Sequence, residues 1–222
     1  AHAHARYVGK TLQKVRAMLG KEACIMAGNV ATYAGADYLA SLSADIIKVG
    51  IGGGAVCTTR IKTGFGVPNL TAIRNSARVD RSIVADGGIR FPGDIVKALA
   101  FGADFVMIGS MLAGTRPTPG VVMTRKNERG EDVRVKAYRG MASSEVQDDY
   151  HGGMAEWKTA EGVAVDVPYC ETEEHIVADI IGGLRSGLTY GGAATIRELQ
   201  RKLDYIRITP AGRHESLPHR TL

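Results

Sequence analysis

Four short apolar runs, separated by helical stretches, limit what this chain can fold into. They are Cys24–Val30, Asp45–Gly50, Ser82–Ala85 and Asp104–Ile108. Each is too short for a helix and ends in small or polar residues, as buried strands do. Arg6–Leu19 precedes the first run and can place Tyr7, Leu12, Val15 and Leu19 on one helical face. Ala31–Ser43, a stretch from about Leu70 to Arg78, and Pro92–Phe101 follow the first three runs. Pro92 suits a first helical turn, where its missing N–H costs nothing. Strand–helix alternation is the order of a parallel α/β sheet, and of a (β/α)8 TIM barrel if the units close. Four strands are half of such a barrel. In these folds chemistry gathers after the carboxyl ends of strands, so the loops there carry the functional reading.

From Arg116 the order changes. Val121–Arg125 and Val133–Tyr138 flank a polar turn, Asn127–Asp132, and predict an antiparallel hairpin. Gly140–Pro168 is glycine-rich and charged without a period, the composition of an irregular lid. Thr172–Ser186 and Ala193–Leu203 predict helices, Tyr205–Thr209 a short strand, and Ala211–His219 an irregular tail. The expected division is a barrel portion over 1–115, a flap over 116–168, and closing helices with a tail over 169–222.

With 222 residues and 45% hydrophobic content the chain can bury one core. Its net charge of +5 is dispersed, which suits a phosphorylated small molecule but not a nucleic-acid surface. No apolar run is long enough for a membrane span and no signal peptide is visible, so a cytoplasmic protein is expected. Cys24, Cys57 and Cys170 have neither metal spacing nor a disulfide framework, in keeping with a reducing compartment.

The richest loop is Lys48–Pro68, KVGIGGGAVCTTRIKTGFGVP. Gly50, Gly52, Gly53 and Gly54 strip it of side chains, so backbone can approach a ligand or ion closely. Cys57 follows, beside Thr58, Thr59 and Arg60. A cationic neighbour raises a thiol's thiolate fraction, so Cys57 is a candidate nucleophile. Asp86-Gly87-Gly88 ends the next strand and pairs a carboxylate with bare amides. Gly109-Ser110 ends the fourth, where loop N–H groups favour anions. No G-x-G-x-x-G dinucleotide fingerprint is present.

The segment GIGGGAVCTTR…GFGVPN resembles the catalytic loop of the IMP dehydrogenase and GMP reductase family, GIGPGS-[IV]-CTTR followed by GVGxPQ. Gly53 stands where that pattern has Pro, and Asn69 where it has Gln. The resemblance extends over essentially the whole chain, and AHAHARYVG at its start is similar to the family's strand-end D-x-A-H-G-H. It implies strands five to eight of the catalytic barrel, with the amino-terminal half supplied by the rest of the protein or by another chain. It also implies that Cys57 forms a covalent adduct with a purine nucleotide, GMP or IMP.

Further roles follow from the resemblance. Asp86, Gly87, Gly88, Gly109, Ser110 and Tyr138 would hold ribose and phosphate. Gly140, Met141, Ala142, Lys158 and Gly162 would line the base. Ile51, Gly52, Met141, Trp157, Lys158 and Ser186-Gly187-Leu188-Thr189 would meet a nicotinamide cofactor. Gly52, Gly54, Cys57 and Arg60, with Glu215 and Ser216 from a neighbouring subunit, would bind potassium. A homotetramer is implied. The flap, YHGGMAEWKTAEG over 150–162, lacks the dehydrogenases' water-activating Arg-Tyr pair and resembles the reductase flap. Lys158 stands for the usual Arg there. Glu161 then falls on the reductase glutamate that works with the second threonine, Thr59. The tail around Glu215 is more dehydrogenase-like. The expectation is an NADPH-dependent GMP reductase. The alternatives are an IMP dehydrogenase with a divergent flap and a non-catalytic nucleotide-binding half-barrel partner.

Overall fold

The structure, a computed structural model, describes residues 2–218. Its centre is a four-stranded parallel sheet, ordered β1 (Met26–Val30), β2 (Ile46–Val49), β3 (Ser82–Asp86), β4 (Phe105–Met107). The register is direct: Ile47 lies opposite Ala27 on one side and Ile83 on the other. Helices α1 (Arg6–Leu19), α2 (Tyr33–Ser41), α4 (Asn69–Ser76) and α5 (Pro92–Ala100) alternate with the strands; α3 (Thr59–Thr63) is a single short turn in the loop after β2.

Local chemistry sets these boundaries. The Thr32 hydroxyl caps α2 by accepting from Gly35 N at 3.2 Å. Pro92 opens α5 as expected. Leu39 of α2 and Val30, Val49, Ile47 and Ile83 of the sheet are fully buried together. At about 1.5–3 kcal/mol for each large apolar side chain, this layer outweighs the exposed ion pairs of the surface.

The expected parallel order and the open sheet are both present. Here β1 and β4 each have one ladder partner, and Met26, Phe105 and Met107 along those edge strands are exposed. The segment before α1 lies along β1, with Ala3 buried and its N–H donating to Asn29 O at 2.8 Å.

A second, antiparallel sheet of β5 (Val122–Lys126), β6 (Asp132–Arg139) and β7 (Ala164–Pro168) forms the flap base. The hairpin β5–β6 matches its sequence pattern. The expectation of an irregular 140–168 is corrected in two places. First, α6 (Ser144–His151) starts at Ser143, whose buried hydroxyl accepts from Val146 N at 3.3 Å, and ends at Gly152 with φ 70°. Second, β7 pairs along β6 with Pro168 opposite Val135, a proline tolerated because β7 is an edge.

Helix α7 (Glu174–Tyr190) runs beyond Ser186, because its glycines face α5 closely. A methyl at Gly183 would lie 2.4 Å from Pro92 Cβ, and one at Gly187 2.7 Å from Val96. After α8 (Ile196–Arg201), Tyr205–Thr209 is not a strand; it has no ladder partner and leads into α9 (Pro210–Glu215). The Thr209 hydroxyl caps α9 on Gly212 N, so the tail expected to be irregular is helical there. His219, the last residue of that expected tail, lies outside the described residues.

An unpaired β4 edge, a β1 edge met only by the short segment before α1, and an α7 with no fully buried residue predict how residues 1–222 behave alone. The isolated chain should bind a hydrophobic dye and elute as an associated species in size exclusion. A dye-silent, sharp monomer would contradict the open sheet.

Candidate active site

The loop after β2 is shaped by contacts that only glycine permits. Gly50 adopts φ 143°, and a methyl there would lie 1.9 Å from Asp86 O. Loop and β3 therefore touch through backbone. Arg60 runs back along Gly52 and Gly66, and its Nη2 donates to Val67 O at 2.7 Å and Ile51 O at 3.3 Å. The Arg60 guanidinium thus binds the carbonyls that close the loop, a placement that proximity to Cys57 in sequence does not show.

Gly53 and Asn69, the two departures from the family pattern, meet each other. A Cβ on Gly53 would fall 2.4 Å from Asn69 Oδ1. The Asn69 amide also donates to Gly87 O, tying α4 to the turn after β3.

At the loop's end, Cys57 pairs with Gly162 in an isolated antiparallel bridge. Thr58 N donates to Glu161 O at 2.8 Å and Val163 N to Val56 O at 3.0 Å. On its other side the same segment is held by Glu161 N to Ala142 O at 3.0 Å and Gly140 N to Val163 O at 3.1 Å. Gly140 and Gly162 pass closely, and a methyl at Gly140 would lie 3.2 Å from Gly162 Cα, a tight fit that would press the two segments apart by a few tenths of an ångström. This backbone sandwich aligns Cys57 and Thr59 with Glu161, which lies 102 positions beyond Thr59 in the chain. The Cys57 thiol donates to Thr59 Oγ1 at 3.2 Å, and the Thr59 hydroxyl donates to Glu161 Oε2 at 2.8 Å. Thr59 is buried, whereas Glu161 and Cys57 are half-buried. The buried hydroxyl of Thr58, next to the thiol, has no partner among the described residues.

A second cluster lies across the sheet ends. Asp86 Oδ2 accepts from Lys48 Nζ at 2.5 Å and from Asn29 Nδ2 at 2.9 Å, while Asn29 also donates to Gly50 O at 2.7 Å. Gly87 and Gly88, at φ 93° and 76°, turn the chain immediately after this carboxylate. Tyr138, from β6, reaches over to the turn after β4; a methyl at Gly109 would lie 3.1 Å from its hydroxyl. Burial, and then the Asp86 charge, hold the Tyr138 phenol above its ordinary value. Three turns far apart in sequence thus converge: Asp86–Gly88, Gly109-Ser110 and Tyr138–Ala142.

The remaining expected site residues are placed as follows. Ile51 is half-buried against the core, and Met141 is exposed while its carbonyl accepts from Gln147. Trp157 is 82% exposed on the flap, with Lys158 Nζ 5.0 Å from its ring centre. Ser186–Thr189 lie on α7, where Gly187 faces α5 and the Thr189 hydroxyl donates to Arg185 O, so their contacts within this chain are not with Cys57. Glu215 ends α9 and the Ser216 hydroxyl donates to Gly212 O at 2.8 Å. Sequence reading missed Asn29, Lys48 and the bridging role of Asn69. Asn29 and Lys48, polar residues inside otherwise apolar runs, carried the signal.

A parallel β/α sheet whose loop cysteine is hydrogen-bonded to a flap carboxylate through a threonine defines a β/α-barrel enzyme class. The chain belongs to the IMP dehydrogenase / GMP reductase family, whose domain matches residues 1–219. It is 44% identical to the inosine-5′-monophosphate dehydrogenase of Aquifex aeolicus over 99% of this chain and 46% of that protein. It is 46% identical to human GMP reductase 2 over 83% of this chain and 53% of that protein.

Among solved structures, the Legionella pneumophila inosine 5′-monophosphate dehydrogenase is 69% identical. It has a TM-score of 0.80, with 96% of this chain and 64% of that one covered. The Trypanosoma brucei GMP reductase C318A in complex with guanosine 5′-monophosphate is 36% identical at TM-score 0.92, covering 100% and 46%. The chain spans about half the length of the curated relatives it matches. Its four-stranded parallel sheet matches part of the TIM-barrel structures of this oxidoreductase family.

The contact between Gly53 and Asn69 predicts coupling. Gly53→Pro alone should overpack the turn and lower stability by about 1–3 kcal/mol, and adding Asn69→Ala should recover most of that loss. Equal losses in the single and the double variant by thermal denaturation would contradict the contact.

Proposed function

We propose that the protein is an NADPH-dependent GMP reductase that converts GMP to IMP and ammonia. The observation that carries this reading is the unbroken hydrogen-bond line Cys57–Thr59–Glu161. In this mechanism the Cys57 thiol gives its proton along Thr59 to Glu161 as its sulfur attacks C2 of the purine, and Glu161 returns that proton through the Thr59 hydroxyl to the 2-amino group. Ammonia leaves, and the sulfur stays bonded to C2. A carboxyl in hydrogen-bond reach of a hydroxyl beside the reacting centre is a workable proton relay. The nicotinamide cofactor supplies the hydride that reduces C2 and frees the thiol. Asp86 accepts from the ribose diol, and the Gly87–Gly88 and Gly109–Ser110 amides with the Tyr138 hydroxyl meet the phosphate. Gly140, Met141, Ala142, Gly162 and Lys158 border the base.

The exposed Trp157 ring, with Met141, offers flat apolar surface of the kind a nicotinamide or adenine ring stacks on. Ser186–Thr189 would take part in cofactor binding across a subunit contact. For a monovalent cation, Gly52, Gly54 and Cys57 offer neutral backbone carbonyls, the donor chemistry that suits potassium. No group of three His, Cys, Asp or Glu side chains forms a metal cluster among the described residues. Arg60 would stabilise that carbonyl loop, and Glu215 and Ser216 would complete the ion's shell from a neighbouring subunit of a tetramer. No helix among the described residues is long and apolar enough to cross a membrane.

The 69% identity to the Legionella pneumophila dehydrogenase favours a second reading, IMP oxidation to XMP. Against it, residues 143–161 contain no Arg beside a Tyr. The protein with a complete barrel should oxidise NADPH in the presence of GMP, and Cys57→Ala should abolish turnover while retaining GMP binding. Efficient XMP formation from IMP, NAD and potassium would overturn the reductase reading and promote the dehydrogenase. GMP binding with no turnover in either direction would favour a non-catalytic partner.

A further inference from the structure

Lys136 is the most deeply buried cation in the described structure, at 2% exposure, and nothing in the proposed chemistry uses it. Among the described residues its ammonium has no carboxylate partner. It donates instead into a shell of four neutral oxygens: Thr118 O at 2.5 Å, Thr115 O at 2.9 Å, Arg116 O at 3.3 Å and Thr118 Oγ1 at 3.4 Å. The Tyr169 ring closes another side, 5.8 Å from Nζ. Four oxygens around one charge resemble the carbonyl coordination of a bound monovalent cation, except that this cation is tethered to a strand. A buried charge is tolerated only when so satisfied, and an empty shell would leave converging carbonyls unpaired.

The two ends of this contact matter. All four oxygens lie in residues 115–118, the end of the loop that leaves β4. That loop begins at the Gly109-Ser110 turn and proceeds by successive turns: Leu112 N to Gly109 O, Thr115 N to Leu112 O and Thr118 N to Thr115 O, at 3.0, 3.0 and 3.2 Å. Lys136 itself sits on β6, two residues before Tyr138, so both side chains leave the same face of the strand. Tyr138 is the residue whose hydroxyl lies over Gly109. Lys136 and Tyr138 therefore grip opposite ends of one loop from one strand.

We infer that Lys136 is an internal cationic clamp that docks the flap sheet on the loop after β4. By doing so it sets the Tyr138 hydroxyl against Gly109–Ser110, which makes it a positioning residue for a phosphorylated ligand. The part concerning phosphate rests on the nucleotide reading above; the clamp does not.

The test uses the protein with a complete barrel and two readouts. Lys136→Met should speed amide exchange at Thr115 and Thr118. It should also weaken GMP binding by about tenfold while leaving guanosine binding within about twofold, the loss expected for a phosphate contact set out of place. Tyr138→Phe should weaken GMP the same way, and the double variant should be little worse than either single one. In Lys136→Ala, n-propylammonium should refill the shell and restore both exchange protection and GMP preference, whereas tetramethylammonium, which cannot donate, should restore neither. Unchanged exchange in Lys136→Met would overturn the clamp, as would failure of n-propylammonium to rescue Lys136→Ala. Equal losses for GMP and guanosine would overturn its role in phosphate recognition. A parent protein that binds GMP no better than guanosine would overturn the nucleotide reading, and the exchange rates would then decide the clamp alone.

Discussion

The candidate site depends on one backbone contact, the antiparallel bridge between Cys57 and Gly162. A thiol on a glycine loop and a carboxylate on a distant flap have no reason to meet unless main chain brings them together. Thr58 N to Glu161 O and Val163 N to Val56 O do this, and the Gly140–Ala142 turn presses from the other side. Backbone pairing fixes position to within the tolerance of a hydrogen bond and leaves the Glu161 side chain free to reach Thr59. It also gives two glycines a common setting: Gly140 and Gly162 are opposed so closely that a side chain at either would be a tight fit. A larger residue at either would move the flap, and the carboxylate with it.

Chemistry at the flap is supported by two sheets of different character. The parallel sheet is a rigid floor, with strand ends that deliver Asn29, Lys48 and Asp86 to one polar network. The antiparallel sheet carries Tyr138 and the segment that bridges Cys57. The flap segment is thereby held to the loop by backbone, so its side chains can change without moving the floor beneath it.

Much of the floor was legible in the sequence, because apolar runs of strand length and glycine turns have few other uses. Cys57, Asp86 and Tyr138 could be singled out because each sits in a contiguous, chemically distinctive string. Asn29 and Lys48 were not, because their partner Asp86 is brought to them by sheet register, and register is not written in any local run. Helix α6 and strand β7 were missed inside a glycine-rich stretch, although Ser143 and Gly152 mark the helix ends and Val165 and Val167 alternate. The loop-closing role of Arg60 was not legible from proximity. This residue is three residues from Cys57 in sequence, but its side chain turns back along Gly52 and Gly66.

The central claim is that Glu161, acting through Thr59, serves the loss of ammonia and not the hydride step. The most direct measurement is intact-protein mass spectrometry of the Cys57 adduct in Glu161→Gln, with the adduct approached from both sides. From IMP and oxidised cofactor it forms by loss of hydride from C2 and of the thiol proton to solvent, with no amine to protonate; from GMP it forms only if ammonia departs. The account predicts that the variant accumulates the adduct from IMP but not from GMP. Equal accumulation from both, or equal loss from both, would contradict it.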